Sequence, residues 1–322
     1  MAAKGKTVSV AAVCCMRNEA IFLLEWLAYQ LVMGFDRVGV ITNDCTDGTD
    51  TILDILAEAD PRIVHVHNKI GQGEAPQVAG LRNARDVPEL MENDYWLHCD
   101  ADEFLNVTLG EGRVQDLLDF VGDVDCVALA WRPFGNSGIK TWDGGLVTER
   151  FTMADDRMRG SVTMHKCIFK PARFEAAIDH MPKIPVSKPV NLVNSKGEWM
   201  PPRAMFHPKF ARFKGTPFDL LTWENASLHH YAVKARNVFL LKNLRGNGMG
   251  HQADRYLADS KLWRKLNKNK VEVPEARRHL EAVKAEVARL RAVGKVAEIE
   301  EQALEAFRRA TKELLESQQV TA

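Results

Sequence analysis

The first hundred residues constrain the fold most, because short β-branched runs alternate there with patterns of helical period. "VSVAAVCCM" (8–16) is apolar but for Ser9, as expected of a strand covered on both faces. After Asn18, the residues Ile21, Leu24, Trp26, Leu27 and Leu31 recur at helical spacing until Gly34, a natural stop. "RVGVIT" (37–42) reads as a second strand and "NDCTDGT" (43–49) as a polar turn. Thr49 or Asp50 then caps a helix carrying Ile52, Leu53, Ile55 and Leu56, which Pro61 ends. "RIVHVH" (62–67) is a third strand, a helix is predicted over 76–91, and "YWLHC" (95–99) is a fourth strand. This alternation predicts an α/β fold with a mostly parallel sheet and helices on both faces. Ligands of such sheets bind beyond the carboxyl ends of the strands. "RNE" (17–19), "NDCTDGTD" (43–50), "NKIGQGEA" (68–75) and "DADEF" (100–104) all fall at that rim.

Farther on, "VDCVALAW", "GLVTERF" and "SVTMHKCIFK" predict added strands within residues 124–170. Residues 182–217 carry seven of the 13 prolines and read as irregular structure facing an acceptor. After Pro274, Leu280, Val283, Val287 and Leu290 form one helical stripe. Ile299, Ala303, Phe307, Ala310 and Leu314 form a second beyond Gly294. The pair predicts a helical hairpin, laid on the body or joining two copies of the chain.

Lys and Arg number 43, as do Asp and Glu, so no basic field points to nucleic acid and an anionic ligand needs a local site. Six cysteines without CxxC spacing imply a reducing compartment, with no disulfide framework and no structural zinc. The apolar run before Arg17 is too short to span a bilayer, and no small-residue cleavage site follows it. The expected location is cytoplasmic, at most peripheral at the inner face of a membrane.

"LHCDADEFLN" (97–106) concentrates acid at the end of the fourth strand. In an extended segment Asp100 and Asp102 share a face, and two carboxylates held together call for a proton or a cation. Mg²⁺ or Mn²⁺ suits such oxygens, with phosphates completing the shell. A calcium loop is excluded by Phe104 and Leu105, which stand where a ligand and a glycine are needed. An isolated DxD is more often a solvated turn. Its place on the strand-end rim is what points to a site.

"CCMRNEAIFLLEWLAYQLVMGFDRVGVITNDCTDGT", "WLHCDADEFLN", "WRPFGNSG" and "LHHYAVKARNVFLLKNLRG", in that order, resemble the family 2 glycosyltransferases and their family 92-like relatives over residues 8 to 248. The resemblance implies a GT-A fold over 1–235, with a nucleotide-sugar half (1–110) and an acceptor half (111–235), leaving 236–322 as a helical extension. It implies metal-dependent transfer of a sugar from a nucleoside-diphosphate donor, a UDP-sugar above all, to a hydroxyl of a glycan or lipid-linked acceptor. Carried over residue by residue, Met16, Arg17, Asn18 and Glu19 resemble the base-and-ribose loop, and Asp44 the acid that meets the base. Arg82 resembles a basic residue reaching the nucleotide.

Asp102 matches the direct metal ligand and Asp100 a residue near the ribose or a metal-bound water. Glu103 points to the other face, as a supporting hydrogen-bond partner. His230 resembles the late histidine that completes the metal shell, with His229 facing away. Lys234 and Lys242 are placed to screen the departing phosphates. Trp131, Phe134 and Trp142 can stack on an acceptor ring or fill the core. For the catalytic base, Asp179 leads and Glu149 is the alternative, with Asp155, Asp156 and Glu224 also in competition. A phosphatase would carry DxD on its first strand, and a nucleotidyltransferase would want a glycine-rich basic loop after its first strand. A degenerate, non-catalytic nucleotide-sugar-binding scaffold is the stronger rival.

Overall fold

The computed structural model describes residues 8–158, 164–207, 216–245, 256–257 and 260–319. The opening alternation folds as β1 (Val10–Met16), α1 (Ala20–Val32), β2 (Arg37–Thr42), α2 (Thr49–Ala59), β3 (Ile63–His67), α3 (Pro76–Ala84), α4 (Pro88–Met91) and β4 (Tyr95–His98). The helix expected over 76–91 is two helices, because Pro88 opens its own short turn. The chain continues through β5 (Glu103–Val107), α5 (Val114–Val121), β6 (Cys126–Pro133), α6 (Val147–Arg150), β7 (Met153–Ala154) and β8 (His165–Phe169). Then come β9 (Phe174–Ile178), β10 (Met181–Pro185), β11 (Leu192–Asn194), β12 (Ala226–His230) and α7 (Arg236–Arg245). The last elements are α8 (Lys261–Leu266), β13 (Val271–Glu272), α9 (Leu280–Arg291) and α10 (Val296–Gln319).

Among the described residues the main sheet runs β3-β2-β1-β4-β8-β6-β12-β5, with β11 beside β6. β3, β2, β1 and β4 are parallel; β8 is antiparallel to both β4 and β6. β12 runs parallel to β6, and β5 closes the row antiparallel to β12. A Rossmann-like parallel half, continued by a mixed half and covered on both faces, is the arrangement that the GT-A resemblance implied.

Two cores lie on the two faces. One gathers α1, α2, α9 and α10 over the sheet, and the other packs α3, β9 and β10 beneath it. α1 is buried nearly all round, from Ala20 to Leu31, because α9 and α10 cover the side turned away from the sheet. A helix apolar on every side has to be enclosed, and here the C-terminal hairpin encloses it. Val283, Val287, Leu290, Ala303 and Phe307 are its buried stripe; the Leu314 side chain lies outside the described residues. β13 pairs with β7, tying the extension to the body a second time.

"GLVTERF" is not a strand. Val147–Arg150 is a helical turn whose first amides are taken by the buried Glu25 carboxylate: Val147 N at 2.6 Å and Thr148 N at 2.9 Å. No described helix is long and apolar enough to cross a membrane.

Candidate active site

The carboxyl ends of β1, β2 and β4 meet at one rim, where two loops lock together. Asn18 Oδ1 accepts from Thr46 N (2.8 Å), Asp47 Oδ2 from Ala20 N (2.9 Å), and Thr49 Oγ1 from Glu19 N (2.9 Å). Asn18, Asp44 and Lys234 all hold a left-handed backbone, at φ 54°, 49° and 51°. Such strain in non-glycine residues gathers where a ligand is clamped. Arg17 and Asp44 are exposed on this rim, whereas the Met16 side chain is part of the core. Arg82 pairs with Glu74 at 2.8 Å and also donates to Lys69 O, so it braces the 68–75 loop.

Asp100 to Glu103 is not extended. Glu103 N donates to Asp100 O at 3.0 Å, a tight turn that sends the two aspartates in different directions. The expectation of two carboxylates on one strand face is therefore corrected. Asp100 turns toward Gln77 Nε2 (2.9 Å) and Lys166 Nζ (3.2 Å). Lys166 has no exposed surface and also reaches Asp179 Oδ1 at 2.9 Å and Glu103 Oε2 at 3.7 Å. Gln77 binds Asp179 Oδ1 as well (3.1 Å). It gets there because α3 lies tight on the sheet: a Cβ on Gly80 would meet Cys15 Sγ at 2.5 Å. Glu103 supports the turn from below, its Oε2 accepting from Asp100 N while Oε1 is buried without a partner.

Burial, with Asp179 and Asp102 close by, pushes the Asp100 carboxyl up. Burial acts the same way on Asp179, but Lys166 and His180 overcome it and hold that carboxyl well below the usual range. Burial would lower Lys166, yet Asp100, Glu103 and Asp179 keep it charged far above its usual value. His180 faces acceptors with both ring nitrogens: Nδ1 lies 3.0 Å from His165 O and Nε2 3.1 Å from Asp179 Oδ2. His180 is thus fixed between the His165 carbonyl and the Asp179 carboxylate.

Asp102 makes a second group. The β12–β5 register sets His230 opposite Glu103, and Tyr231 N donates to Asp102 O at 2.8 Å. His230 Nε2 stands 3.6 Å from Asp102 Oδ1, while Lys242 Nζ holds Oδ2 at 2.8 Å. Burial opposes the Asp102 charge, but Lys242, His230 and Lys234 hold its carboxyl well below the usual range. Burial also pushes His230 down to about 4, so it is neutral at pH 7 and can offer a lone pair. An ionised carboxylate and the neutral imidazole facing it could together hold a divalent cation.

Trp131 packs against His230 with ring centroids 4.0 Å apart and meets His180 edge-on at 5.2 Å. Lys234 places its ammonium 4.6 Å from the Phe22 ring centroid. Gly246 to Gly248 of "LRGNG" lie outside the described residues.

Thus Asn18, Glu19, Asp100, Asp102, Asp179, Trp131, His230 and Lys234 come to the rim with Lys242. Met16 and Trp142 do not, since both side chains lie in the core, and neither do two further residues. Phe134 is fully buried between His229 and Tyr231 and presents no face to an acceptor. Glu149 is engaged by Lys284 of α9 at 2.6 Å, and its carbonyl by Arg277, in the seam with the C-terminal extension. Two groups escaped the sequence reading: Lys166 and Gln77. A lysine between His165 and Cys167, at an inward position of an apolar strand, was the available signal.

No family model matches the chain. Two solved structures show partial likeness. The apo bifunctional glycosyltransferase WbbM has a TM-score of 0.25 at 14% identity, over 39% of this chain and 23% of that one. The glycosyltransferase GlyE of Streptococcus pneumoniae has a TM-score of 0.26 at 17% identity, over 38% and 30%. Neither likeness bears on the chemistry. A glycosyltransferase family 92 protein of Ricinus communis is 26% identical over 184 residues, which is 54% of this chain and 31% of that protein. The chain thus spans about a third of the length of the curated relative it matches. Over rather more than half of its own length, the chain is similar in sequence to a glycosyltransferase of family 92.

Proposed function

We propose that the chain moves a sugar from a nucleoside-diphosphate donor, a UDP-sugar by preference, to a hydroxyl of a glycan or lipid-linked acceptor, with Mn²⁺ or Mg²⁺ held at Asp102 and His230. The observation that carries this reading is the neutral His230 imidazole facing the Asp102 carboxylate at 3.6 Å on the strand-end rim. The family 92 relative supports it through its name. A bound cation supplies charge neutralisation to the departing diphosphate.

The chain's own residues do the rest. Lys242 and Lys234 add positive charge beside Asp102. The locked loops of Asn18 and Asp44 hold the base and ribose, and Asp100 limits the ribose side. Asp179, ionised and bound by Lys166, Gln77 and His180, is the carboxylate this rim offers as base, a weak one because its carboxyl is held well below the usual range. Only the part of Trp131 left uncovered by His230 and His180 could meet an acceptor ring.

A second reading has an observation in its favour. Lys166 and Lys242 already balance the acidic residues, as in a nucleotide-sugar-binding module that needs no cation and turns nothing over. Calorimetric titration of UDP with and without Mn²⁺, beside Asp102→Ala, separates the two. Metal-dependent binding that the variant loses supports the transferase. Equal binding with and without the ion favours the module, and failure of every nucleoside diphosphate to bind sinks both.

A further inference from the structure

His65 and His67 alternate along β3 and so face the same side of this end strand, against α2. His65 Nδ1 and His67 Nε2 lie 2.7 Å and 3.4 Å from one oxygen, Asp54 Oδ1 of α2. The three ligand atoms fall within 4.8 Å of one another, the only such His, Cys, Asp or Glu group among the described residues. The far nitrogen of His65 is held too, with Nε2 2.7 Å from Thr42 Oγ1. With Nε2 bound to Thr42, the ring is held so that Nδ1 faces the Asp54 carboxylate, where either a ring proton or a metal ion can join the two. A histidine whose second nitrogen is fixed by a hydrogen bond is how metal-binding imidazoles are usually oriented.

We propose that Asp54, His65 and His67 bind a borderline divalent transition-metal ion of the Zn²⁺ type, which fastens the end strand β3 to α2. Two imidazoles and one carboxylate suit such an ion, whereas Mg²⁺ and Ca²⁺ prefer all-oxygen shells. The Asp54 and His67 side chains are 54% and 69% exposed, so the ion has an entry and water completes its shell. Asp50, one turn earlier on α2, acts electrostatically on His65 and adds a second carboxylate to the approach. The expectation of no structural zinc rested on cysteine spacing alone, and this proposal departs from it because histidines and a carboxylate supply the ligands. This inference stands apart from the transferase reading, since none of its residues belongs to the Asp102 group.

The test is titration of Zn²⁺ into EDTA-treated, dialysed full-length protein by calorimetry, with Co²⁺ absorption as the second readout. The expected result is one equivalent of Zn²⁺ that excess Mg²⁺ does not displace, with the visible absorption of low-coordinate Co²⁺. His67→Ala, at an exposed position, should abolish that binding, while Asp102→Asn should keep it. Thr42→Val, which releases the His65 ring, should weaken it by roughly 10- to 100-fold. Unchanged Zn²⁺ binding in His67→Ala, or none in the parent protein, overturns the proposal.

Discussion

The Lys166 ammonium lies 2.9 Å from Asp179 Oδ1 and has no exposed surface, while Asp100 and Glu103 crowd its other sides. It balances three carboxylates that would otherwise be left at the buried end of β4. Lys166→Met should cost about 3 kcal/mol of stability at pH 7, the usual loss when one partner of a buried charge cluster is removed. The deficit should shrink in acid as the stranded carboxylates take up protons. Urea midpoints at pH 7 and pH 4 check this. A variant as stable as the parent at pH 7 would show that the cluster is solvated.

The divergence of Asp100 and Asp102 predicts unequal variants. Asp102 faces His230 and Lys242, while Asp100 faces Gln77 and Lys166. If the proposed transfer is correct, Asp102→Asn removes a charge from beneath the diphosphate and should cut turnover by roughly 100- to 1,000-fold, or about 3–4 kcal/mol. Asp100→Asn should fall less and should mainly raise KM for the donor. Steady-state rates with a range of UDP-sugars, with circular dichroism as a folding control, decide this. Equal losses in both variants would mean that the two carboxylates act as one ligand pair.

The parallel half of the fold was legible because each of β1 to β4 is a run of β-branched and apolar residues punctuated by polar turns. The rim could be read for the same reason. What hid from the sequence depends on partners far away in it. Val147–Arg150 has the composition of a strand and becomes a helical turn because Glu25, 122 positions earlier, takes its first amides. The Asp100–Glu103 turn depends on a single backbone hydrogen bond and on Glu103 turning back to the Asp100 amide. Lys166 reads as one polar residue in an ordinary strand until β8 is inserted antiparallel between β4 and β6, which puts it at the centre of the acids. Asp54 and the two histidines of "RIVHVH" likewise meet only when α2 folds onto β3.

Acid should loosen the seam between body and hairpin. Buried Asp60 accepts from Arg62 at 2.7 Å and from Arg289 of α9 at 2.6 Å. The Arg62 hydrogen bond first, then Arg289, hold its carboxyl well below the usual range despite burial. A depressed folded value means that the unfolded chain binds the proton more readily, so stability rises with pH through this window. The contribution is complete above the unfolded value of about 4 and fades as pH falls through the lower folded value. Asp60→Asn should therefore lose about 1–2 kcal/mol at pH 7, discounted for the half-exposed arginines, with the deficit shrinking below about pH 4 and closing only as pH falls through the lower folded value. Urea midpoints between pH 2.5 and 7 give the curve, and a parallel offset across that range would contradict it.

The hairpin's main task follows from the burial of α1. Leu23, Trp26 and Leu27 of α1 share one core with Val283, Val287 and Leu290 of α9, and none of the six is appreciably exposed. Removing the hairpin would bare a helix that is apolar on the side away from the sheet, and such a face associates rather than staying in water. Truncation after residue 273 should give protein that aggregates or binds a hydrophobic dye. The single change Leu290→Ala should instead leave the fold in place and cost about 2–4 kcal/mol, as large-to-small core changes do. If the truncated chain were monomeric, dye-silent and as stable as the parent, α1 would have to find another cover. If Leu290→Ala broke an oligomer without lowering the stability of the separated chains, the stripe would be an intermolecular surface. Denaturation together with light scattering on both variants tells these outcomes apart.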